Sequence, residues 1–199
     1  MPDVSQPEYW STLYQTNDAG WDKGRCAPPI ARLLKEGHLP PGAHIAVIGC
    51  GPGHEAFEAA RNGYQVTAID FAPEAIARVR AQVEERGLNV IAEEADVFDM
   101  AIRWPATFDG IIEHTCLCAI DPARREEYAR AVAGALKPNG LLFGLFYAHN
   151  RPDGPPFAIH EPEVRKLFSP LFHFERLVIA PDSFENRTGH ELEFIARRL

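Results

Sequence analysis

The chain has 199 residues, 46% of them hydrophobic, which suits one globular domain with a sizeable core. A formal net charge of −8 without lysine or arginine clusters argues against nucleic-acid and anionic-membrane partners. No apolar run reaches the roughly 18 residues of a spanning helix, and no basic-then-apolar leader opens the chain, so a cytoplasmic protein is expected. Its four cysteines are then reduced thiols, and Cys26, Cys50, Cys116 and Cys118 fit no zinc spacing, so no metal is expected.

In chain order, residues 1–40 are aromatic and proline-rich. They read as a lid or cap on a single domain whose core occupies 41–199. Residues 45–48 form a short apolar run that stops at glycines, a buried parallel strand. A helix over 54–62 closes at Gly63. A second strand, 65–69, ends on Asp70, and Pro73 opens a helix that places Ile76, Val79 and Val83 on one face before Gly87 ends it. Residues 90–95 form a more polar third strand toward a sheet edge, and 108–112 a fourth. A helix over 124–136 is terminated by Pro138 and Gly140. Residues 141–147 are a fifth strand, 161–168 a short helix, and 173–179 and 191–197 two final strands, the last alternating as an antiparallel edge would. Strand–helix alternation predicts an α/β fold: a doubly wound, Rossmann-like, mainly parallel sheet of seven strands with helices on both faces. In such sheets the ligand lies beyond the carboxyl ends of the strands.

The first strand ends in Gly49-Cys50-Gly51-Pro52-Gly53, where Gly49, Cys50, Gly51 and Gly53 are candidate cofactor contacts because glycine lets a ligand approach the backbone closely. Asp70, with Phe71 beside it, ends the next strand, where a carboxylate can accept both hydroxyls of an adenosine ribose. A dinucleotide fingerprint would read GxGxxG, but His54 stands where its third glycine belongs and Pro52 removes an N–H that would cradle phosphate. S-adenosylmethionine carries no phosphate and suits this loop better. A tight turn with no ligand is the plain alternative. Asp96 after the third strand would reach the adenine amino group, with Val97 and Phe98 near the ring, although Asp at a strand end is also a common turn residue. Tyr147, Arg151 and Phe157 follow the fifth strand and are candidates for an acceptor pocket.

Several segments carry a more specific pattern: Trp10-x-x-x-Tyr14, Gly20-Trp21-Asp22-Lys23-Gly24-Arg25, Cys118-Ala119-Ile120-Asp121-Pro122-x-x-Arg125, Leu136-Lys137-Pro138-Asn139-Gly140 and Gly154-Pro155-Pro156-Phe157. With the glycine loop, Asp70 and Phe108-Asp109, they run from Trp10 to Phe172. The chain resembles the thiopurine methyltransferase-like family, most of all its thiol, halide and thiocyanate branch. The resemblance implies a class I methyltransferase fold and S-adenosylmethionine as cofactor, leaving as S-adenosylhomocysteine. It implies that Trp10, Tyr14 and Trp21 fold over the cofactor. It also implies that Glu113 and His114, directly after the fourth strand, sit where methyl group and acceptor meet, Glu113 touching the cofactor too. Plant enzymes of the branch have Asp-Tyr there, and this chain has Glu-His.

Methyl transfer from a sulfonium is an in-line displacement to which the protein contributes alignment and water exclusion. His114 would either deprotonate a thiol or only hydrogen-bond the cofactor or a carbonyl. Cys116 and Cys118 read as packing residues, and His149, His160 and His173 as surface or loop histidines. The expectation is an enzyme methylating a small soft nucleophile, a thiol or sulfide, or a halide or thiocyanate. Larger natural-product or xenobiotic thiols and O or N acceptors remain as alternatives, as do a nicotinamide oxidoreductase and a non-catalytic cofactor-binding protein. A monomer or homodimer acting on a small molecule is expected.

Overall fold

The computed structural model describes residues 3–199. Two helices come first, α1 (Pro7–Gln15) and α2 (Pro28–Leu33), each opened by a proline whose fixed φ suits a first turn. Next come β1 (His44–Ile48), α3 (His54–Arg61), β2 (Gln65–Asp70), α4 (Pro73–Arg86) and β3 (Val90–Glu94). The second half holds α5 (Met100–Arg103), β4 (Phe108–His114), α6 (Arg125–Ala135), β5 (Leu136–Tyr147), α7 (Glu161–Phe168), β6 (Phe172–Ile179) and β7 (Glu191–Arg198). Short 3-10 turns at Val97–Asp99, Leu117–Ala119, Pro122–Arg124 and Glu185–Arg187 lie between them.

All seven strands join one sheet in the order β3-β2-β1-β4-β5-β7-β6. The first five are parallel and β7 runs antiparallel to both neighbours. Because the side chains of a strand alternate between faces, the sheet has two core layers. Ile45, Val47, Val66 and Ile112 pack on one side with Ile30 of α2, Phe57 of α3 and Val79 of α4. Ala46, Ile48, Ile111 and Phe146 pack on the other with Met100 of α5, Tyr128 of α6 and Phe168 of α7. The chain reverses direction across the sheet between β1 and β4, so the crevice beyond their carboxyl ends is where a ligand belongs. Among the described residues no helix is long and apolar enough to cross a membrane.

The structure moves several expected boundaries. β4 runs to His114, two residues past its predicted end, so Glu113 and His114 belong to the strand itself. β5 starts at Leu136, which leaves α6 in an extended conformation (φ −75°, ψ 145°) and pairs with Phe108. β7 lies inside the sheet, covered by β6 as the true edge, which explains its near-complete burial. Residues 28–34 belong to the core: Ile30 is fully buried and packs in the layer that includes Phe143 of β5, so the lid expected over residues 1–40 does not extend to them.

Gly144 in β5 pairs with Glu113 at φ +146°, and a Cβ there would overlap the Glu113 main-chain carbonyl. Gly144→Ala is therefore expected to lower the unfolding free energy by about 3 kcal/mol or more, because neither strand can move aside. Urea denaturation measures this, and a loss below about 1 kcal/mol would mean that the β4–β5 register gives way.

Candidate active site

A first cavity opens at the carboxyl ends of β1, β2 and β3. Gly49, Asp70, Phe71, Asp96, Val97 and Phe98 line it from the sheet side, and Trp10, Tyr14 and Trp21 from the N-terminal segment. Gly49 has φ +54°, and a Cβ there would sit 2.9 Å from Cys116 Sγ, so only glycine lets the chain turn so close to the ligand space. The Asp70 carboxylate accepts the N–H of Gly51 and of Ala72, each at 2.9 Å. Burial pushes its pKa up while those N–H groups favour the anion. A carboxylate has about four acceptor positions, so those facing the cavity remain for a ligand's hydroxyls. Asp96 caps the turn behind it through Phe98 N (3.0 Å), and Arg124 lies 3.5 Å over the Phe98 ring. The aromatic cover is docked: Trp10 and Tyr14 each meet Trp21 edge-on, Trp10 Nε1 donates to the Val4 carbonyl, and Arg78 of α4 donates to the Tyr14 carbonyl. Cys50, Gly51 and Gly53 do not line this cavity. Their part is to build the loop, with Gly51 N–H on Asp70 and Gly53 as the left-handed N-cap of α3.

A second cavity of about 360 Å³ lies on the other side of Trp10, Trp21, Thr115 and Ala119, which line both. Tyr147 and Arg151 line it, as the sequence suggested, together with Tyr9, Lys23, Cys118 and Arg187. Phe157 does not. Its N–H donates to the Cys118 carbonyl (2.6 Å) and its carbonyl accepts from Arg125, so it pins a loop whose Pro155 and Pro156 face the cavity instead. His149 is also not the surface residue expected: it is buried against the Tyr147 ring, and its Nδ1 accepts the Arg151 N–H (3.1 Å). Among the described residues no group of His, Cys, Asp and Glu is arranged to hold a metal.

The thiopurine S-methyltransferase family model matches residues 5–196. The chain belongs to that family. Its fold and its family make it an S-adenosylmethionine-dependent methyltransferase. It is 29% identical to thiocyanate methyltransferase 1 of Arabidopsis thaliana over 92% of this chain and 81% of the relative. It is 26% identical to a thiopurine S-methyltransferase of Pseudomonas fluorescens over 86% of each. The fold matches a Burkholderia thailandensis 1,6-didemethyltoxoflavin-N1-methyltransferase with bound S-adenosylhomocysteine, with a TM-score of 0.78 at 21% identity over 96% of this chain and 86% of that one.

The end of β4 in this methyltransferase differs from the expectation for Glu113 and His114. Neither side chain lines a cavity. Glu113 is buried, and its carboxylate accepts the N–H of Cys116 (3.0 Å) and Leu117 (3.1 Å) and the Tyr128 hydroxyl. Burial raises its pKa to about 7 against those donors. It holds the turn that carries Thr115 and lines neither of the two cavities. His114 points to the opposite face. Its Nδ1 lies 3.0 Å from Glu55 of α3, and its Nε2 lies 3.1 Å from Arg187 Nη1 and 3.6 Å from Glu191. Arg187 in turn meets Glu191 at 3.2 Å. The Arg187 contact suits a neutral ring, but two carboxylates outweigh both it and burial, and they raise the His114 pKa to about 9. Both ring nitrogens are engaged within the fold, Nδ1 with Glu55 and Nε2 with Arg187, and neither faces a cavity.

The functional residue that sequence reading missed is Arg187. It sits in a short turn before β7 with no motif around it. Only its burial reveals it, since a buried arginine has to be paired.

His114 carries a pH signature. Its folded pKa is raised above the unfolded value near 6.5, so its stabilisation is complete below that value and is lost as pH rises through about 9. Thermal melts are expected to weaken between pH 7 and 9.5, by at most about 3 kcal/mol, and His114→Gln should flatten that slope. An unchanged slope in the variant would show that the ring is neutral in the fold.

Proposed function

We propose that the enzyme transfers the methyl group of S-adenosylmethionine to the thiolate sulfur of a small molecule held in the second cavity. The observation that carries this reading is the wall of Trp10, Trp21, Thr115 and Ala119 shared by the two cavities, because a methyl group has to cross from one to the other there. Asp70 would hold the ribose hydroxyls, Asp96 the adenine edge with Val97 and Phe98 along the ring, and Trp10, Tyr14 and Trp21 would close over the cofactor as a lid.

S-adenosylmethionine supplies an electrophilic methyl carbon: the acceptor sulfur's lone pair forms the new S–C bond as the old one breaks, its electrons going to the sulfonium sulfur of the departing S-adenosylhomocysteine. The chain's own task is to dry the cavity, align the sulfur and favour its anion. Lys23 and Arg151 bring positive charge to the second cavity, with Asp18 the one carboxylate in its lining and Arg187 paired to Glu191. Positive charge near a thiol lowers its pKa, so the proton can leave to water without a dedicated base. The thiol, thiopurine and thiocyanate methyltransferases among the relatives support a soft sulfur acceptor.

S-adenosylhomocysteine is expected to raise the melting temperature and NAD to leave it unchanged. Stabilisation by NAD alone would overturn the reading. Asp70→Asn should weaken S-adenosylhomocysteine binding at least tenfold in calorimetry, since it removes an anionic acceptor for two hydroxyls. A labelled-methyl assay on hydrosulfide, methanethiol, thiophenol, thiocyanate and iodide should show the thiols methylated fastest.

A further inference from the structure

The loop after β5 is held at both ends and almost nowhere between. At its start the Ala148 N–H donates to the His190 carbonyl at 2.7 Å. At its far end the Phe157 N–H donates to the Cys118 carbonyl, and Arg125 donates to the Phe157 and Ala158 carbonyls at 3.2 and 3.1 Å. Among the described residues, the stretch between these anchors makes one hydrogen bond, from the Arg151 N–H to His149 Nδ1 at 3.1 Å. The same stretch brings Arg151, Pro155 and Pro156 to the second cavity. A loop with so few ties has low local stability, so its shape depends on that bond.

Only a neutral imidazole can make it. The amide N–H needs a lone pair, and a lone pair on Nδ1 puts the ring's single proton on Nε2. A side chain accepting from the N–H two residues on is the Asx-turn pattern of asparagine, which histidine reproduces only while Nδ1 is unprotonated. The His149 ring is buried, packs 4.6 Å from the Tyr147 ring at the root of the loop, and does not itself line the cavity. Its Nε2 is buried without a hydrogen-bond partner. Titratable and charged groups face the ring from several elements: Arg151 on the loop, His160 at the start of α7 and His190 just before β7, with the Pro156 carbonyl favouring a proton. Arg187 stands over the Tyr147 ring. Burial first, and Arg151 next, hold the His149 pKa below the ordinary histidine value.

We infer that His149 is a positioning residue for methyl transfer: its Nδ1 lone pair fixes the loop after β5 so that Arg151, Pro155 and Pro156 wall the second cavity, and a proton on Nδ1 releases them. This rests on the reading of that cavity as the acceptor site. Protonation turns the acceptor into a donor that faces the Arg151 N–H, and it leaves a buried charge without a partner. The loop is therefore held above the folded pKa of the ring and released as pH falls through it. The first cavity is built from other elements, the ends of β1 to β3 and the N-terminal segment, so cofactor affinity does not follow this ring.

Two readouts on the full chain test this. In nuclear magnetic resonance of histidine labelled at its ring nitrogens, the His149 signals are assigned by their loss in His149→Asn. They are expected to show a neutral ring with its proton on Nε2 at about pH 7.5. A proton on Nδ1 there overturns the inference alone. Methyl transfer to thiophenol is then followed from about pH 8 to about pH 5, and each variant is compared with the unaltered enzyme at the same pH, so that ionisation of the thiol cancels. His149→Asn keeps the acceptor and cannot titrate. Its kcat/KM relative to the unaltered enzyme should lie near one at about pH 8 and rise roughly tenfold by about pH 5, through KM. His149→Phe keeps a ring and loses the acceptor. It should raise KM roughly tenfold at about pH 8 while S-adenosylhomocysteine affinity stays within about twofold. A His149→Asn ratio that is flat in pH overturns the role of His149, as does an unchanged KM in a His149→Phe variant shown folded by its melting curve. No transfer by the unaltered enzyme to thiophenol, hydrosulfide or methanethiol, with S-adenosylhomocysteine still bound, overturns the methyl-transfer reading and the positioning role with it.

Discussion

The Glu113 carboxyl group is a single buried acceptor on which two main-chain N–H groups and one hydroxyl converge, those of Cys116, Leu117 and Tyr128. Without it the donors would be orphaned inside the protein, at about 1–3 kcal/mol each. Its three contacts fix the turn that leaves β4, and that turn sets Thr115 at φ +61°. A β-branched residue in the left-handed region is strained by about 1–3 kcal/mol and persists only where its surroundings leave it no alternative. Glu113 and the Tyr128 hydroxyl are those surroundings. Thr115 is thereby held in the wall between the two cavities by a carboxylate that lines neither of them.

β4 serves both faces of the sheet at once. Glu113 turns toward α6, and its neighbour His114 turns toward α3 because successive side chains of a strand point to opposite faces. There His114 joins Glu55, Glu191 and Arg187 in one cluster. Arg187 reaches from it to the Trp21 carbonyl at 3.5 Å, and its guanidinium lies 5.1 Å from the Tyr147 ring. The floor of the second cavity is thus built from charges that neutralise one another, and a helix, a strand, the loop before β7 and the N-terminal segment are tied through it. Removing one member would leave an uncompensated buried charge, which costs more than the intact cluster contributes.

The parts of this architecture that are local in sequence were legible. The glycine loop and Asp70 occupy adjacent parallel strands, so their spacing carried both the fold and the place of the first cavity. The aromatic segment with Trp10, Tyr14 and Trp21 was legible through family resemblance, because nothing in its periodicity says where it packs. Glu113 and His114 were expected beside the reacting groups, but β4 runs two residues past the point where its apolar run stops, and both side chains turn to partners within the fold. Arg187 and Lys23 are far apart in sequence and meet only through the tertiary fold. His149 looked like a loop residue because burial of a loop depends on what packs over it.

An enzyme that presents a methyl donor to sulfur has to spare its own sulfur. Cys116 lines the first cavity and Cys118 the second. Burial and the neighbouring Glu113 carboxylate hold both as thiols, Cys116 far above its ordinary range and Cys118 up to about 12. The thiolate, not the thiol, is the nucleophile. The second cavity has Lys23 and Arg151 in its lining, and positive charge there would favour an anion over a neutral thiol. The chain's own thiols are kept out of the nucleophilic form on the side where Glu113 stands. Glu113 stands at the end of β4, and Arg187 reaches the same strand end from the turn before β7 by its contact with His114.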